Sequence, residues 1–154
     1  VIVVRPFQES DVLELWRVHR DAIHRTASRD YSPGQVAAWA PMEIDPLQWR
    51  DKMRKLRPFV AELDGAVAAY ADLQDDGYID HFFVAPEASG RGVGSALMRH
   101  ILSLAPPLGI RELYANVSIT ARPFFEHFGF QVESPQTVTL RGVEFTNYRM
   151  RRVL

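Results

Sequence analysis

The chain has 154 residues, 47% of them hydrophobic and 24% charged, with a formal net charge of -1 and no cysteine. That length suits one domain, spanning 1–154, and the near-neutral balance draws the molecule as a whole toward neither nucleic acid nor an anionic membrane. The lack of cysteine excludes disulfides, thiolate zinc sites and cysteine nucleophiles, and fits a reducing, cytoplasmic setting.

No apolar run reaches the length of a membrane span, and residues 1–7 lack the pattern of a signal peptide. The five histidines (19, 24, 81, 100 and 127) show no paired spacing suited to a metal. Each reads as a surface or packing residue, and no metal is expected.

In chain order, Val1 to Phe7 is β-branched and predicts a first strand. Ser10 then reads as an N-cap for a helix whose Val12, Trp16, His19 and Ile23 form a core stripe. Ser32 and Gln35 fit a capping box with Pro33 at the first helical position, predicting a short helix that Pro41 ends. Asp45, Pro46 and Gln48 repeat those signals for a helix carrying Trp49 and Met53.

Asp64-Gly65 is the strongest hairpin signal, between predicted strands Pro58 to Leu63 and Ala66 to Leu73. Asp75-Asp76-Gly77 turns the chain into a further strand, Tyr78 to Val84, so three antiparallel strands are expected in a row. Ile110 to Ser118 predicts another strand, with Leu113, Ala115 and Val117 on one face and Tyr114, Asn116 and Ser118 on the other. Thr120 caps a helix through His127, Gly129 stops it, and residues 137–151 hold one or two strands with Arg141-Gly142 as a turn.

The chemistry concentrates between Ile79 and Leu102. An apolar run (Phe82 to Val84) is stopped by Pro86, glycines follow at 90, 92 and 94, and Val93, Leu97 and Ile101 mark one helical stripe. The first turn of a helix presents unpaired N–H groups at the positive end of the dipole, and glycines let an anion approach that backbone. The other reading is an ordinary strand-to-helix turn. Three alternate glycines around Arg91 favour the anion site, but the spacing matches neither a P-loop, which needs a lysine, nor the Gly-x-Gly-x-x-Gly dinucleotide fingerprint.

Val84-Ala85-Pro86 followed by Ser89-Gly90-Arg91-Gly92-Val93-Gly94 resembles the central motif of the GNAT superfamily of acyl-CoA-dependent N-acyltransferases. Ser89 stands where that motif has Gln or Arg. A second stretch, Ala121-Arg122-Pro123-Phe124-Phe125-Glu126-His127-Phe128-Gly129-Phe130, resembles the family's Ala-x-x-(Leu/Phe)-Tyr-Glu-x-x-Gly-Phe element. The resemblance implies a mixed α/β fold with a central, mostly antiparallel sheet of about six to seven strands flanked by about four to five helices.

It further implies acetyl transfer from acetyl-CoA, as co-substrate, to a primary amine of a small molecule or peptide. Phe82, Phe83 and Val84 would bind the pantetheine arm, with the Val84 N–H facing the thioester oxygen. Gly90, Arg91, Gly92, Val93, Gly94 and Ser95 would hold the pyrophosphate, and Ser118 replaces an Asn that often follows the next strand. Asp80 would be the base. The family's tyrosine acid is replaced by Phe125, so either Tyr114 supplies a proton or none is used.

Tyr31 and Trp39 are acceptor-lid candidates in a segment resembling a bacterial subset of the family, with simple packing as the alternative. A homodimer is possible within the family. The missing tyrosine also leaves room for a non-catalytic acyl-CoA-binding module.

Overall fold

A computed structural model describes residues 1–154. Eight strands and five α-helices follow in the order β1 (Ile2–Pro6), α1 (Val12–Asp21), α2 (Pro33–Trp39), α3 (Pro46–Leu56), β2 (Phe59–Leu63), β3 (Ala66–Ala71), β4 (Tyr78–Ile79), β5 (Phe82–Val84), α4 (Val93–Leu104), β6 (Glu112–Ser118), α5 (Arg122–His127), β7 (Gln131–Leu140) and β8 (Val143–Val153). No helix is long and apolar enough to cross a membrane.

The predicted turns at Asp64-Gly65 and Arg141-Gly142 close tight hairpins, whereas Asp75-Asp76-Gly77 turns the chain into β4 without pairing that strand to β3. Asp64 and Gly65 take φ of 51° and 84°, and Arg141 and Gly142 take 48° and 77°. Two successive left-handed residues match the twist of the flanking strands. The capping box of Ser32 and Gln35 closes in both directions at 2.8 and 3.1 Å, and Asp45 caps α3 by accepting the Leu47 N–H at 2.9 Å.

Two predicted caps do not form. Ser10 lies in a single 3-10 turn before α1, where Asp11 takes the role: its Oδ2 accepts the Gln8 N–H at 2.8 Å while the carboxylate grips the Arg5 guanidinium. The Thr120 hydroxyl turns to Asp30, and Ser118 Oγ accepts the Ala121 N–H at 3.0 Å ahead of α5.

The larger departure is in the sheet. Tyr78 to Val84 is not one strand: β4 and β5 are separate and belong to different sheets. One sheet has the order β1-β2-β3-β5 and is antiparallel throughout. The other has the order β4-β6-β8-β7, with β4 parallel to β6 and the rest antiparallel.

The predicted sheet is therefore split into two four-stranded halves, diverging at Asp80 and His81. There the backbone N–H groups have no neighbouring strand. Asp72, fully buried just after β3, supplies the missing acceptor: its Oδ1 takes the Asp80 N–H at 2.9 Å and the His81 N–H at 2.7 Å. Buried N–H groups need such partners, so one carboxylate stabilises the splay.

A single main core runs beneath both halves, with Leu15 and Val18 of α1, Tyr70 of β3, Leu97, Met98 and Ile101 of α4, Leu113 of β6 and Met150 of β8 all fully buried. Each such aliphatic side chain contributes about 1.5–3 kcal/mol by leaving water. A smaller cluster around Ile23, Tyr31, Val36 and Phe145 joins α2 to β8.

Candidate active site at the sheet split

Where the sheets part, β5 becomes an edge strand with one side unused. Bonding across to β3 runs through Ala85 N–H to Ala68 O at 2.8 Å and Asp72 N–H to His81 O at 3.2 Å. In an antiparallel ladder, bonded and non-bonded pairs alternate. Tyr70–Phe83 is therefore the bonded pair between them, and Val84 and Phe82, opposite Ala69 and Ala71, point their N–H groups away from β3. An extended amide-bearing ligand could pair with that edge.

The glycine loop lies at the end of the same strand. Gly90 and Gly92 have φ of 76° and 88°, and Gly92 is the N-cap of α4 with no side chain capping the helix. The first N–H groups of the helix, at Val93, Gly94 and Ser95, thus lack intrahelical partners. A Cβ at Gly90 would meet nothing within 4 Å, whereas one at Gly94 would lie 3.3 Å from Val84 Cγ2 and 3.4 Å from the Phe124 ring. Gly90 and Gly92 keep the loop open, and Gly94 lets α4 close on β5. The Arg91 guanidinium lies 3.6 Å from Asp64 on the exposed hairpin tip.

A cavity of about 730 Å³ occupies the split. Among the residues proposed from sequence, Asp80, Phe82, Phe83, Ser118, Tyr31 and Trp39 line it; Tyr114, Val84 and the glycine loop do not. Tyr114 lies further along β6, its hydroxyl donating to Asp76 and its ring stacked on Tyr78 at 5.0 Å, away from any acid's position over the cavity.

Tyr31 is a fixed wall rather than a lid. Its buried hydroxyl donates to Thr146 O at 2.7 Å and accepts the Ile119 N–H at 3.0 Å. Trp39 is half-buried against it, with ring centroids 5.6 Å apart. Asp80 is 41% exposed and stands 4.0 Å from His81 Nε2. It also borders a second cavity, which it shares with Lys52.

Sequence reasoning missed a buried polar cluster beside Asp80. The Tyr70 hydroxyl bridges His81 Nδ1 at 2.9 Å and His19 Nδ1 at 3.2 Å. Burial, and then the Lys52 ammonium, lowers His81 to about 3, and burial with neighbouring His81 and Lys52 holds His19 well below the usual imidazole range. Both rings are neutral at neutral pH. A hydroxyl has one proton, so Tyr70 donates to one ring and accepts from the other, which gives the two histidines opposite tautomers.

Burial raises Asp72 to about 6 against the opposing bonds from His81 and Gln74. His19 and His81 lie 62 positions apart, and no spacing rule links them to Tyr70. Only the fold joins them.

Residues 27–152 match the acetyltransferase (GNAT) domain family. The chain is 39% identical over 150 residues to the uncharacterized N-acetyltransferase YafP of Escherichia coli K12, covering 97% of this chain and 95% of that protein. A GCN5-related N-acetyltransferase structure from Rhodopseudomonas palustris superposes with a TM-score of 0.93 at 27% identity, over 99% of this chain and 95% of that one. The PaiA N-acetyltransferase of Thermoplasma acidophilum, solved with coenzyme A, shares the fold with a TM-score of 0.80 at 16% identity, over 100% of this chain and 99% of that one. With the family matched over most of its length and the split sheet, glycine loop and cavity in place, the chain belongs to the GNAT family of N-acetyltransferases.

Proposed function

We propose that the enzyme moves the acetyl group of acetyl-CoA directly to a primary amine, with the co-substrate lying along β5 and its pyrophosphate on the N-terminus of α4. The observation that carries this reading is the continuity of three features. The unpaired helix start at Val93–Ser95, the unused Phe82 and Val84 N–H groups, and the cavity at Asp80 follow one another along a single path. Helix N-termini suit phosphate and a free strand edge suits the amides of a pantetheine arm. PaiA, of the same fold, binds coenzyme A.

In the reaction, the amine nitrogen attacks the thioester carbonyl carbon. The C–N bond forms, the C–S bond breaks, and the sulfur leaves as thiolate. The Val84 N–H is the donor for the developing oxyanion, where a positioned donor acts most strongly. Asp80 takes the amine proton, directly or through water in the cavity. No acid is required at the sulfur, because a thiol titrates near ~8.5 and its thiolate is a competent leaving group. Phe125, 3% exposed at the cavity wall, then serves as packing rather than as a proton donor.

Calorimetric titration with acetyl-CoA, followed by free-thiol release with amines, tests the proposal. Gly92→Glu places a carboxylate on a left-handed backbone position at the phosphate site, and should abolish acetyl-CoA binding in a folded protein. Retained affinity in that variant would refute the loop assignment.

A further inference from the structure

The walls of the cavity are aromatic to an extent that acetyl transfer alone does not require. Trp16 and Trp49 meet edge-on at 5.2 Å, Phe83 lies 6.2 Å from Trp39, and Trp39 lies 5.6 Å from Tyr31 and 6.2 Å from Phe145. All six line the cavity. They come from α1, α2 and its approach, α3, β5 and β8; Tyr31, Trp49 and Phe145 are buried, and the His19 ring joins the tryptophan pair to Phe83 at 4.6 Å.

The polar ends of two of these rings are spent on backbone. Trp49 Nε1 donates to Val12 O at 2.9 Å, and the Tyr31 hydroxyl donates to Thr146 O. What those two rings leave to the cavity is apolar. The buried polar groups there, His19 and His81 on the lining and Tyr70 behind them, share bonds through the two Nδ1 atoms, and both imidazoles are uncharged at neutral pH.

Charge is sparse and peripheral. The charged residues on the lining are Glu43, Asp45, Lys52, Asp80 and Arg141, all of them exposed. Three carboxylates face two cations, and solvent screens all five, so a second positive charge gains little there. A polyamine or a basic peptide would need a desolvated counter-charge that this wall lacks.

Beside the cavity, Arg141 donates to Ala38 O at 2.6 Å and Gln35 to Glu144 O at 2.8 Å, fixing α2 against the β7–β8 hairpin.

We infer that the acceptor is a primary amine carried on a flat aromatic body, seated among the half-buried rings of Trp16, Trp39 and Phe83 with its nitrogen toward Asp80. This rests on the acetyl-transfer reading above. Aromatic faces stack on such a ligand at low entropic cost, and each ring contact adds to plain burial.

The test is a thiol-release assay with acetyl-CoA and four acceptors: tryptamine, hexylamine, spermidine and a lysine-containing peptide. Tryptamine should give a kcat/KM about tenfold or more above each of the others, the ratio expected from one or two good ring contacts. Trp39→Leu should remove most of that advantage by raising KM for tryptamine, while the Kd for acetyl-CoA stays near that of the unaltered enzyme. Should Trp39→Leu fold poorly by circular dichroism, Trp16→Leu takes its place with the same expectation.

Faster turnover of spermidine or the peptide would overturn the inference. So would acetyl-CoA binding without measurable turnover of tryptamine. Absence of acetyl-CoA binding would instead refute the acetyl-transfer reading, so the two failures are told apart by the calorimetry alone.

Discussion

Asp72 connects the stability of this fold to the opening of its cavity, and a pair of substitutions separates its two contributions. The carboxyl is displaced from its ordinary 3.8 to about 6, chiefly by burial. The folded state therefore holds this proton more tightly than the unfolded chain. Between those two values the folded state binds more protons, so this group's contribution to stability falls as pH rises, and above about 6 the whole penalty applies. Its size is roughly 3 kcal/mol at neutral pH.

Asn at this position cannot ionise but can still accept from Asp80 and His81. The stability of Asp72→Asn minus that of the unaltered protein should therefore climb by roughly 3 kcal/mol from about pH 4 to about pH 7. Ala removes the acceptor as well as the charge. It orphans two N–H groups at about 1–3 kcal/mol each, so Asp72→Ala should lie about 2–6 kcal/mol below Asp72→Asn at every pH.

Urea unfolding followed by tryptophan fluorescence across that range reads both quantities. A pH-independent difference between Asn and the unaltered chain would refute the buried-charge argument. Equal stability of the Ala and Asn variants would refute the claim that this side chain stabilises the parting of β4 from β5.

Gly94→Val should force α4 away from β5, since its Cβ would sit 3.3 Å from Val84 and 3.4 Å from Phe124; overpacking of this kind costs about 1–3 kcal/mol, visible as a lowered Tm. Asp80→Asn should lower kcat and remove the acidic limb of the pH–rate profile with little change in acetyl-CoA affinity, and an unchanged profile would exclude Asp80 as base. Tyr70→Phe should cost about 2–6 kcal/mol by leaving two buried imidazole nitrogens unpartnered; an unaltered unfolding midpoint would mean the hydroxyl does not hold His19 and His81.

Local signals carried much of the fold. The Asp64-Gly65 and Arg141-Gly142 turns, the Ser32–Gln35 capping box, the Asp45 cap and the glycine start of α4 each depend on residues within a few positions of one another. Backbone conformation at such places is decided by one or two side chains, so the sequence displays it directly. The family, too, was legible there, because the Val84–Gly94 and Ala121–Phe130 motifs are contiguous stretches.

What stayed hidden depends on distant partners. Phe82 to Val84 reads as a continuation of Tyr78 and Ile79 because alternation says nothing about which strand lies alongside. β4 finds β6 and β5 finds β3, and the carboxylate of Asp72 makes the break tolerable. Tyr31 and Trp39 were visible as candidate cleft aromatics, yet their part as fixed walls follows from Thr146, Ile119 and Phe145, more than a hundred residues away for Thr146.

The same holds for Tyr114, whose hydroxyl is drawn off by Asp76, and for the His19–Tyr70–His81 cluster. By itself the sequence determined the tight hairpin turns, the caps of α2 and α3, the glycine start of α4 and the family. Tertiary structure alone decided where the sheet divides and which rings and neutral histidines face the space between. Those are long-range contacts, set by packing that no local pattern encodes.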